Sequence, residues 1–268
     1  TLAGALAAVK LHIPVDHVEA GLRSFNRRMP EEINRVVTDH VSSLLFAPTD
    51  TAVSNLRNEG IEGDHVVQCG DVMYDATLAA AEIAEQKSTV LDELDLEVGK
   101  YVLATIHRAE NTDDPGILGL IVDAFETVRD TMPVVLPLHP RTRAALLRYG
   151  LLERAQAAIT LLEPRGYLDM TQLEANAAAI ATDSGGVQKE AFFHRTPCIT
   201  LRSETEWVEL VDLGWNIVCD PNEGGISKAI LNRIGTTGES ANPYGSGHAA
   251  ESIVERIQAE TADGSIAV

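Results

Sequence analysis

The sequence is poor in cysteine and in long apolar runs. Its three cysteines, Cys69, Cys198 and Cys219, are scattered through apolar stretches without the spacing of metal ligands. We therefore expect free thiols in a reducing cytoplasm and no metal site. The longest apolar runs, such as 102–106 and 134–138, fall well short of the roughly 20 residues that a membrane-spanning helix needs. No contact with a membrane is expected.

Basic charge is also scarce. The 268 residues include 21 basic and 40 acidic side chains, which gives a formal net charge of −19, and only five of the basic residues are lysine. A nucleic-acid-binding protein normally carries a basic patch, so nucleic acid is excluded as a partner. An acidic surface with few lysines favours adaptation to a high-salt cytoplasm, where salt screens the repulsion between like charges.

Strand-like runs rich in β-branched residues alternate with helical patterns, which predicts a parallel α/β architecture. In the first part of the chain the strand patterns cover 13–19, 43–47 and 65–69. In the second part they cover 101–107, 133–139, 158–162, 178–182, 197–202 and 216–219. The second set predicts an almost complete doubly wound sheet, whereas the first set predicts about half of one.

Three segments are predicted from these patterns. Residues 1–86 form a partial N-terminal Rossmann-like domain, and residues 87–247 form a second Rossmann-like domain. Residues 248–268 form a final helix that returns to the first domain, followed by a frayed tail. The chain opens inside a helix of small residues and without methionine, so we expect the first domain to be incomplete.

The strongest single motif is DSGGVQKE at 183–190, directly after an apolar strand and at the start of a helix. Gly185 and Gly186 allow backbone N–H groups to approach an anion at the helix N-terminus. Ser184 can donate a further hydrogen bond to a phosphate oxygen. Glu190 lies about one and a half turns later, where a carboxylate can accept both hydroxyls of a ribose. The alternative is an ordinary tight strand-to-helix turn.

His107 and Arg108 follow another apolar strand. Ligands of doubly wound sheets bind at the carboxyl ends of strands, so this position favours function over a structural histidine. Arginine gives paired hydrogen bonds to a diphosphate, and histidine can transfer a proton near neutral pH. Two weaker motifs are 138–143, which contains His139, and the acidic segment 204–209. For both, a helix entry or packing on the sheet is the favoured interpretation.

Carboxylates mark the first part of the chain. Glu19 ends a strand and Glu31 starts a helix, so the pair is a candidate for acid and base roles. A buried ion pair of Glu19 with Arg23 or Arg35 is the structural alternative. Glu32 suits the helix dipole as well as Glu31 does, so spacing alone does not choose between them.

Taken together and in this order, the motifs resemble the non-hydrolysing UDP-N-acetylglucosamine 2-epimerases. The resemblance spans about residues 1–260 and is carried by 17–23, 30–35, 46–49, 70–75, 107–108, 183–190 and 242–247. It implies an α/β fold of two Rossmann-like domains facing a cleft, as in B-type glycosyltransferases. UDP is then held mainly by the second domain, and the final helix packs back on the first.

The implied reaction inverts C2 of UDP-N-acetylglucosamine to give UDP-N-acetylmannosamine, by elimination of UDP to a glycal and re-addition. No cofactor is implied, and the chain shows no GxGxxG fingerprint. The implied partners are a UDP-sugar substrate and a second copy of the chain in a homodimer.

Site residues follow from the resemblance position by position. Glu19, Glu31 and His107 match the catalytic residues. The 167–170 segment lies where the family contacts uracil, and Arg108 and His139 resemble positions that touch a second, activating substrate in some members. The complete set of expected substrate-binding residues is Arg23, Arg35, Arg108, His139, Met170, Ser184, Gly185, Gly186 and Glu190.

Three positions depart from the best-known family members. Ala109 stands where arginine is common, 206–209 reads EWVE instead of ERPE, and Pro140-Arg141 replaces Asn-Pro. The departures fit a modified sugar, such as a 2,3-diacetamido uronic acid. The alternatives are a UDP-sugar-dependent glycosyltransferase on the same fold and a nucleotide-sugar-binding fragment without turnover.

Overall fold

The computed structural model describes residues 1–262, and the chain divides into two compact units. The first unit combines residues 1–78 with the segment from 241 onwards. The second unit holds residues 79–240. Both units are built from parallel strands connected by helices, as the α/β prediction requires.

The first unit contains a three-stranded parallel sheet in the order β1-β2-β3. Its elements are α1 (Leu2–Lys10), β1 (Asp16–Val18), α2 (Pro30–Val41), β2 (Leu44–Ala47), α3 (Asp50–Asn58), β3 (Val66–Gln68), the start of α4 (Val72–Lys87) and α14 (Ala249–Ala262). Side chains alternate along β2. Leu45 and Ala47 pack against α3 on one face, whereas Leu44 and Phe46 pack against Ile253 of α14 on the other.

The second unit contains a six-stranded parallel sheet in the order β6-β5-β4-β7-β8-β9. Its elements after α4 are α5 (Val90–Glu93), β4 (Val102–Thr105), α6 (Ala109–Thr112), α7 (Pro115–Arg129), β5 (Val134–Pro137), α8 (Pro140–Arg148), α9 (Leu152–Ala158), β6 (Thr160–Leu162), α10 (Tyr167–Ala175), β7 (Ala179–Thr182), α11 (Gly185–Phe193), β8 (Cys198–Thr200), α12 (Val208–Asp212), β9 (Asn216–Val218), a 3-10 turn (Pro221–Glu223) and α13 (Ile226–Arg233). The strand order reverses between β4 and β7, which makes their carboxyl ends the topological switch point of a doubly wound sheet.

Helices cover both faces of this sheet. Val102 and Ala104 of β4 pack in the core beneath α7, α9 and α13. Leu103, between them, points to the opposite face and packs with residues of α5, α10 and α11. Strands buried on both faces need apolar side chains at every position, which explains why the sequence shows continuous apolar runs here.

The nine strands predicted from the sequence all occur in the described residues, each shorter than its apolar run. The ends of the runs leave the sheet because they continue into turns. The division between the units falls inside α4, earlier in that helix than the boundary expected after residue 86. From residue 263 onwards the tail that was expected to fray lies outside the described residues.

Candidate active site

The switch point of the second unit brings two sequence motifs together. Strands β4 and β7 are hydrogen-bonded neighbours, with Thr105 opposite Thr182 and their hydroxyl oxygens 2.5 Å apart. His107 follows Thr105 after one residue, and Asp183 follows Thr182 directly. The histidine–arginine motif and the glycine turn therefore meet at one edge of the sheet.

The buried carboxylate of Asp183 organises the segment after β4. It accepts hydrogen bonds from the backbone N–H of His107 and Arg108, each at 3.0 Å, and from the side-chain amide of Asn111 at 3.1 Å. Its Oδ1 lies 3.2 Å from Nδ1 of His107. Because a carboxylate accepts hydrogen bonds, the Nδ1 proton faces Asp183, and Nε2 of the 39% exposed side chain is left for a ligand.

The sequence pattern indicates the turn that begins at Asp183, but it does not indicate that Asp183 holds His107 and Arg108. The contact joins residues 76 positions apart in the chain, so no local pattern reports it. The available signal is a carboxylate directly after an apolar strand at the switch point.

His139 lies beside His107 at the carboxyl end of β5. The centroids of the two rings are 5.5 Å apart, and the rings are tilted by 38°. His139 is the N-cap of α8, where its Nδ1 accepts a hydrogen bond from the backbone N–H of Arg141 at 3.1 Å. Its Nε2 therefore carries the proton, so His139 can donate to a ligand while it caps the helix.

The glycine turn has the geometry of an anion site. Ser184 is the N-cap of α11, and Gly185 and Gly186 form its first turn. A Cβ atom built at Gly185 would lie 3.9 Å from Nη2 of Arg108, so the guanidinium reaches over the turn. Among residues 1–262, no hydrogen bond or ion pair engages this guanidinium. An arginine beside a helix N-terminus favours a phosphate group.

The 202–207 segment lies against the same turn. Trp207 donates its indole N–H to the carbonyl of Gly185 at 2.9 Å. Arg202 and Glu206 form an ion pair at 2.8 Å with side chains only 9% and 6% exposed. Burial alone would raise the pKa of Glu206, but the charges of Arg202 and Arg108 outweigh it and lower that pKa. No sequence motif singled out Arg202.

Glu190 is 9% exposed within α11. Burial raises the pKa of its carboxyl, although a hydrogen bond from Tyr167 and the charge of Lys189 oppose that rise. Burial and the charge of Glu190 also raise the pKa of Glu174 well above its ordinary range. Met170, expected near the nucleotide base, is partly buried and packs against the apolar core, and its contact with the base stays a prediction. Tyr167, in the same segment, hydrogen-bonds to Glu190.

In the first unit, the structure distinguishes Glu31 from Glu32, the two adjacent acids at the start of α2, by their burial. Glu32 is 3% exposed and accepts hydrogen bonds from the backbone N–H of Ser24 and Phe25, each at 2.9 Å, and from Arg35 at 2.8 Å. Burial alone would raise the pKa of Glu32, but these hydrogen bonds outweigh it and lower that pKa. Glu31 is exposed, so it is the candidate catalytic acid that spacing alone did not identify.

The two arginines of this unit bind carboxylates of the protein itself. All three guanidinium nitrogens of Arg23 are engaged, by Glu59 at 2.7 and 2.8 Å, by Asp39 at 2.7 Å and by the carbonyl of Leu22 at 2.8 Å. Its side chain is 1% exposed and is held by groups of the protein, and its contact with substrate stays a prediction. Arg35 is 22% exposed and pairs with Glu32, and its contact with substrate stays a prediction.

Glu19 lies in the turn after β1 and has a φ of 65°, in the left-handed region that favours glycine. The direction of its side chain therefore depends on a backbone conformation that is rare for residues other than glycine. Gly21, in the same turn, has a φ of 79°.

Two negative findings apply to residues 1–262. Histidine, cysteine and acidic side chains form no group of three or more that is arranged to hold a metal ion. No helix in this range is long and apolar enough to cross a membrane.

Fold and site together define a doubly wound α/β protein, with a glycine turn and an aspartate-held histidine at the switch point, where such sheets bind their ligands. Comparison with known families narrows this class. The family model described as UDP-N-acetylglucosamine 2-epimerase matches residues 1–258. The chain belongs to this family.

Curated relatives support the same assignment. A UDP-N-acetylglucosamine 2-epimerase homolog of Methanococcus maripaludis is 50% identical over 96% of this chain and 72% of its own. The UDP-2,3-diacetamido-2,3-dideoxy-D-glucuronate 2-epimerase of Pseudomonas aeruginosa is 49% identical over 96% of this chain and 71% of its own.

Solved structures agree. The Methanocaldococcus jannaschii UDP-GlcNAc 2-epimerase in complex with UDP-GlcNAc and UDP matches with a TM-score of 0.87 and 44% identity, over 96% of this chain and 72% of that one. The Neisseria meningitidis enzyme bound to UDP-GlcNAc matches with a TM-score of 0.84 and 30% identity, over 96% of this chain and 73% of that one.

Proposed function

We propose that the protein is a sugar-nucleotide 2-epimerase. It interconverts UDP-N-acetylglucosamine and UDP-N-acetylmannosamine, or the corresponding 2,3-diacetamido uronic acid nucleotides, by eliminating UDP and adding it back. The observation that carries the proposal is the clamp of Asp183 on His107, which holds an imidazole beside an anion-binding glycine turn.

The second unit supplies the nucleotide-binding groups. Arg108 and the N–H groups at the start of α11 stabilise the diphosphate, both in the substrate and as the leaving group. His107 is oriented by Asp183, and in its protonated form it carries a proton on Nε2 as well as on Nδ1 and donates the Nε2 proton to the departing oxygen. Glu190 accepts hydrogen bonds from the ribose hydroxyls when it is ionised, and the charge of Lys189 and the hydrogen bond from Tyr167 favour that state.

The first unit supplies Glu19 and Glu31 as acid and base. A carboxylate removes the C2 proton, its electron pair forms the C1–C2 double bond, and the C1–O bond breaks with its electrons leaving on UDP. A proton is then delivered to C2 from the other face, and a UDP oxygen rejoins C1. The C2 proton is weakly acidic, so a group that can act as base is needed on each face of the sugar.

The test is proton exchange during turnover. The protein is incubated in deuterated water with UDP-N-acetylglucosamine and, separately, with the UDP-2,3-diacetamido uronic acid, since the two curated relatives above are almost equally similar. We expect deuterium at C2 in both epimers of the true substrate, measured by NMR and mass spectrometry. A glycosyltransferase would transfer the sugar without labelling C2, and a binding protein would bind UDP without any label.

We further propose that the protein works as a homodimer in the cytoplasm. The three cysteines are free, and burial raises the pKa of Cys198 to about 12, as suits unreactive thiols in a reducing compartment. The net charge of −19 supports a high-salt setting, in which the melting temperature should rise with molar salt. Light scattering tests the dimer, and a melting temperature indifferent to salt would contradict the high-salt proposal.

A further inference from the structure

The turn that carries Glu19 is held in a conformation that its own sequence disfavours. Glu19 has a φ of 65°, a region where a Cβ atom crowds the following carbonyl. Gly21 has a φ of 79°, and a Cβ atom there would lie 2.3 Å from the carbonyl oxygen of Ala52. Such a conformation persists only where the surrounding structure determines it, and it is often found at functional sites.

Hydrogen bonds from three elements secure this turn. The N–H of Ala20 donates to the carbonyl of Phe46 in β2 at 3.0 Å. The side-chain amide of Asn55 in α3 donates to the carbonyl of Gly21 at 3.0 Å. The N–H of Gly21 donates to Oδ2 of Asp39 in α2 at 3.1 Å.

The carboxylate of Asp39 contacts three residues around this turn: His17, Gly21 and Arg23. Its side chain is 0% exposed, and Oδ1 lies 2.5 Å from Nδ1 of His17, which is in β1 directly before the turn. Oδ2 binds both the N–H of Gly21 and, at 2.7 Å, Nη2 of Arg23. One carboxylate therefore grips the chain before, within and after the Glu19 turn.

The same helix carries Glu31. Asp39 follows Glu31 by eight positions in α2 (Pro30–Val41), which is roughly 12 Å along the helix axis. Asp39 binds the Glu19 turn to α2, and α2 also carries Glu31. Both candidate catalytic acids are therefore linked to the same helix.

We propose that Asp39 is a positioning residue for the epimerisation, acting through Glu19. The inference rests on the proposed function. Asp39 touches no substrate; it keeps the turn in the left-handed conformation that directs the Glu19 carboxylate towards the sugar. Removing it misdirects Glu19, and a misplacement of about 1 Å can cost on the order of 100-fold in rate.

The test compares Asp39→Asn with Glu59→Gln. Glu59 binds the same guanidinium of Arg23, at 2.7 Å, but no contact with His17 or Gly21 is among its hydrogen bonds or ion pairs. Asp39→Asn should lower kcat for C2 exchange by about 10- to 100-fold, with KM changed by less than about two-fold. Glu59→Gln should keep kcat close to that of the unaltered protein.

A double variant distinguishes positioning from general stabilisation. If Asp39 acts through Glu19, then Glu19→Gln combined with Asp39→Asn is no slower than Glu19→Gln alone. Additive losses, or equal losses from Asp39→Asn and Glu59→Gln, would overturn the proposal. Should Asp39→Asn fail to fold in thermal melts, His17→Gln, which removes one contact and leaves the arginine paired, is assayed by the same cycle with the same criteria.

The control for the function itself is separate. Exchange at C2 by the unaltered protein establishes the reaction whatever the Asp39 variants do. Absence of exchange in the unaltered protein rejects the proposed function together with the role of Asp39, whereas exchange with additive variants rejects only the role of Asp39.

Discussion

The two units hold their candidate functional residues by different means. In the second unit, the order of six parallel strands brings the ends of β4 and β7 together, and the backbone of that edge positions His107 and the glycine turn. In the first unit, with three strands, buried side-chain carboxylates hold the segments that carry or flank the candidate residues. Glu32 secures residues 24 and 25, and Asp39 secures the turn after β1.

The comparison shows where each half is vulnerable. A site defined by strand order persists through most single substitutions, because a sheet is stabilised by many contacts. A turn fastened by one carboxylate depends on that residue. The exception in the second unit is Asp183, a single side chain that accepts hydrogen bonds from two backbone N–H groups and one amide.

The largest effects on kcat should come from substituting His107 or Asp183, which holds it. His107→Ala should lower kcat by about 100- to 10,000-fold, because it removes a group that transfers a proton or stabilises the leaving oxygen. Its melting temperature should change little, since the side chain is 39% exposed. Asp183→Asn should also lower kcat strongly, because one of the two oxygens that accept hydrogen bonds from His107, Arg108 and Asn111 becomes an NH2 donor, and it should lower the melting temperature as well.

Steady-state kinetics and thermal melts on both variants check this prediction. Full activity in Asp183→Asn would show that strand order alone orients His107. Loss of folding in His107→Ala would instead assign His107 a structural role.

The next largest effects distinguish Glu31 from Glu32 in the first unit, because one substitution should change kcat and the other the stability. Glu31→Gln should lower kcat by orders of magnitude and leave the melting temperature unchanged, because Glu31 is exposed. Glu32→Gln should lower the free energy of unfolding by about 1–3 kcal/mol, since it weakens buried charge-assisted hydrogen bonds. Chemical denaturation and C2 exchange measure the two properties, and a catalytic defect in both variants without destabilisation would contradict the division of roles.

The smallest effect contrasts how the two units respond to pH. The pKa of Glu32 is lowered in the folded state, so its contribution to stability is present at neutral pH and is lost as the pH falls through that pKa. The pKa of Glu174 is raised by burial and by Glu190, so ionisation destabilises the fold as the pH rises through it. Glu174→Gln should therefore raise the melting temperature near pH 7 by about 2–4 °C, and the gain should vanish below the ordinary carboxylate pKa.

Melting curves from below the lowered pKa of Glu32 up to pH 8, for the unaltered protein, Glu32→Gln and Glu174→Gln, test this contrast. The two variants should differ from the unaltered protein in opposite directions near pH 7, and both differences should shrink in acid. A destabilising effect of Glu174→Gln at neutral pH would show that its carboxylate is bound as an anion.

Most of the fold was predictable because parallel strands buried on both faces leave continuous apolar runs. All nine strands were predicted, and so was the start of α2 at Pro30. The division inside α4 was not, since a helix that passes from one compact unit to another has no local signal at that point. Motifs of residues close in the chain, such as Ser184 with Gly185 and His107 with Arg108, were likewise visible.

What the sequence by itself determined is therefore the α/β class, the order of the elements and the residue types available for chemistry, because these depend on local periodicity and short motifs. Only the tertiary structure decided which residues meet. It paired His107 with Asp183, committed Arg23 to Asp39 and Glu59, buried Glu32 and left Glu31 exposed. The physical reason is that burial and hydrogen-bond partners depend on contacts between residues far apart in the chain, and the same glutamate or arginine is catalytic or structural according to those contacts.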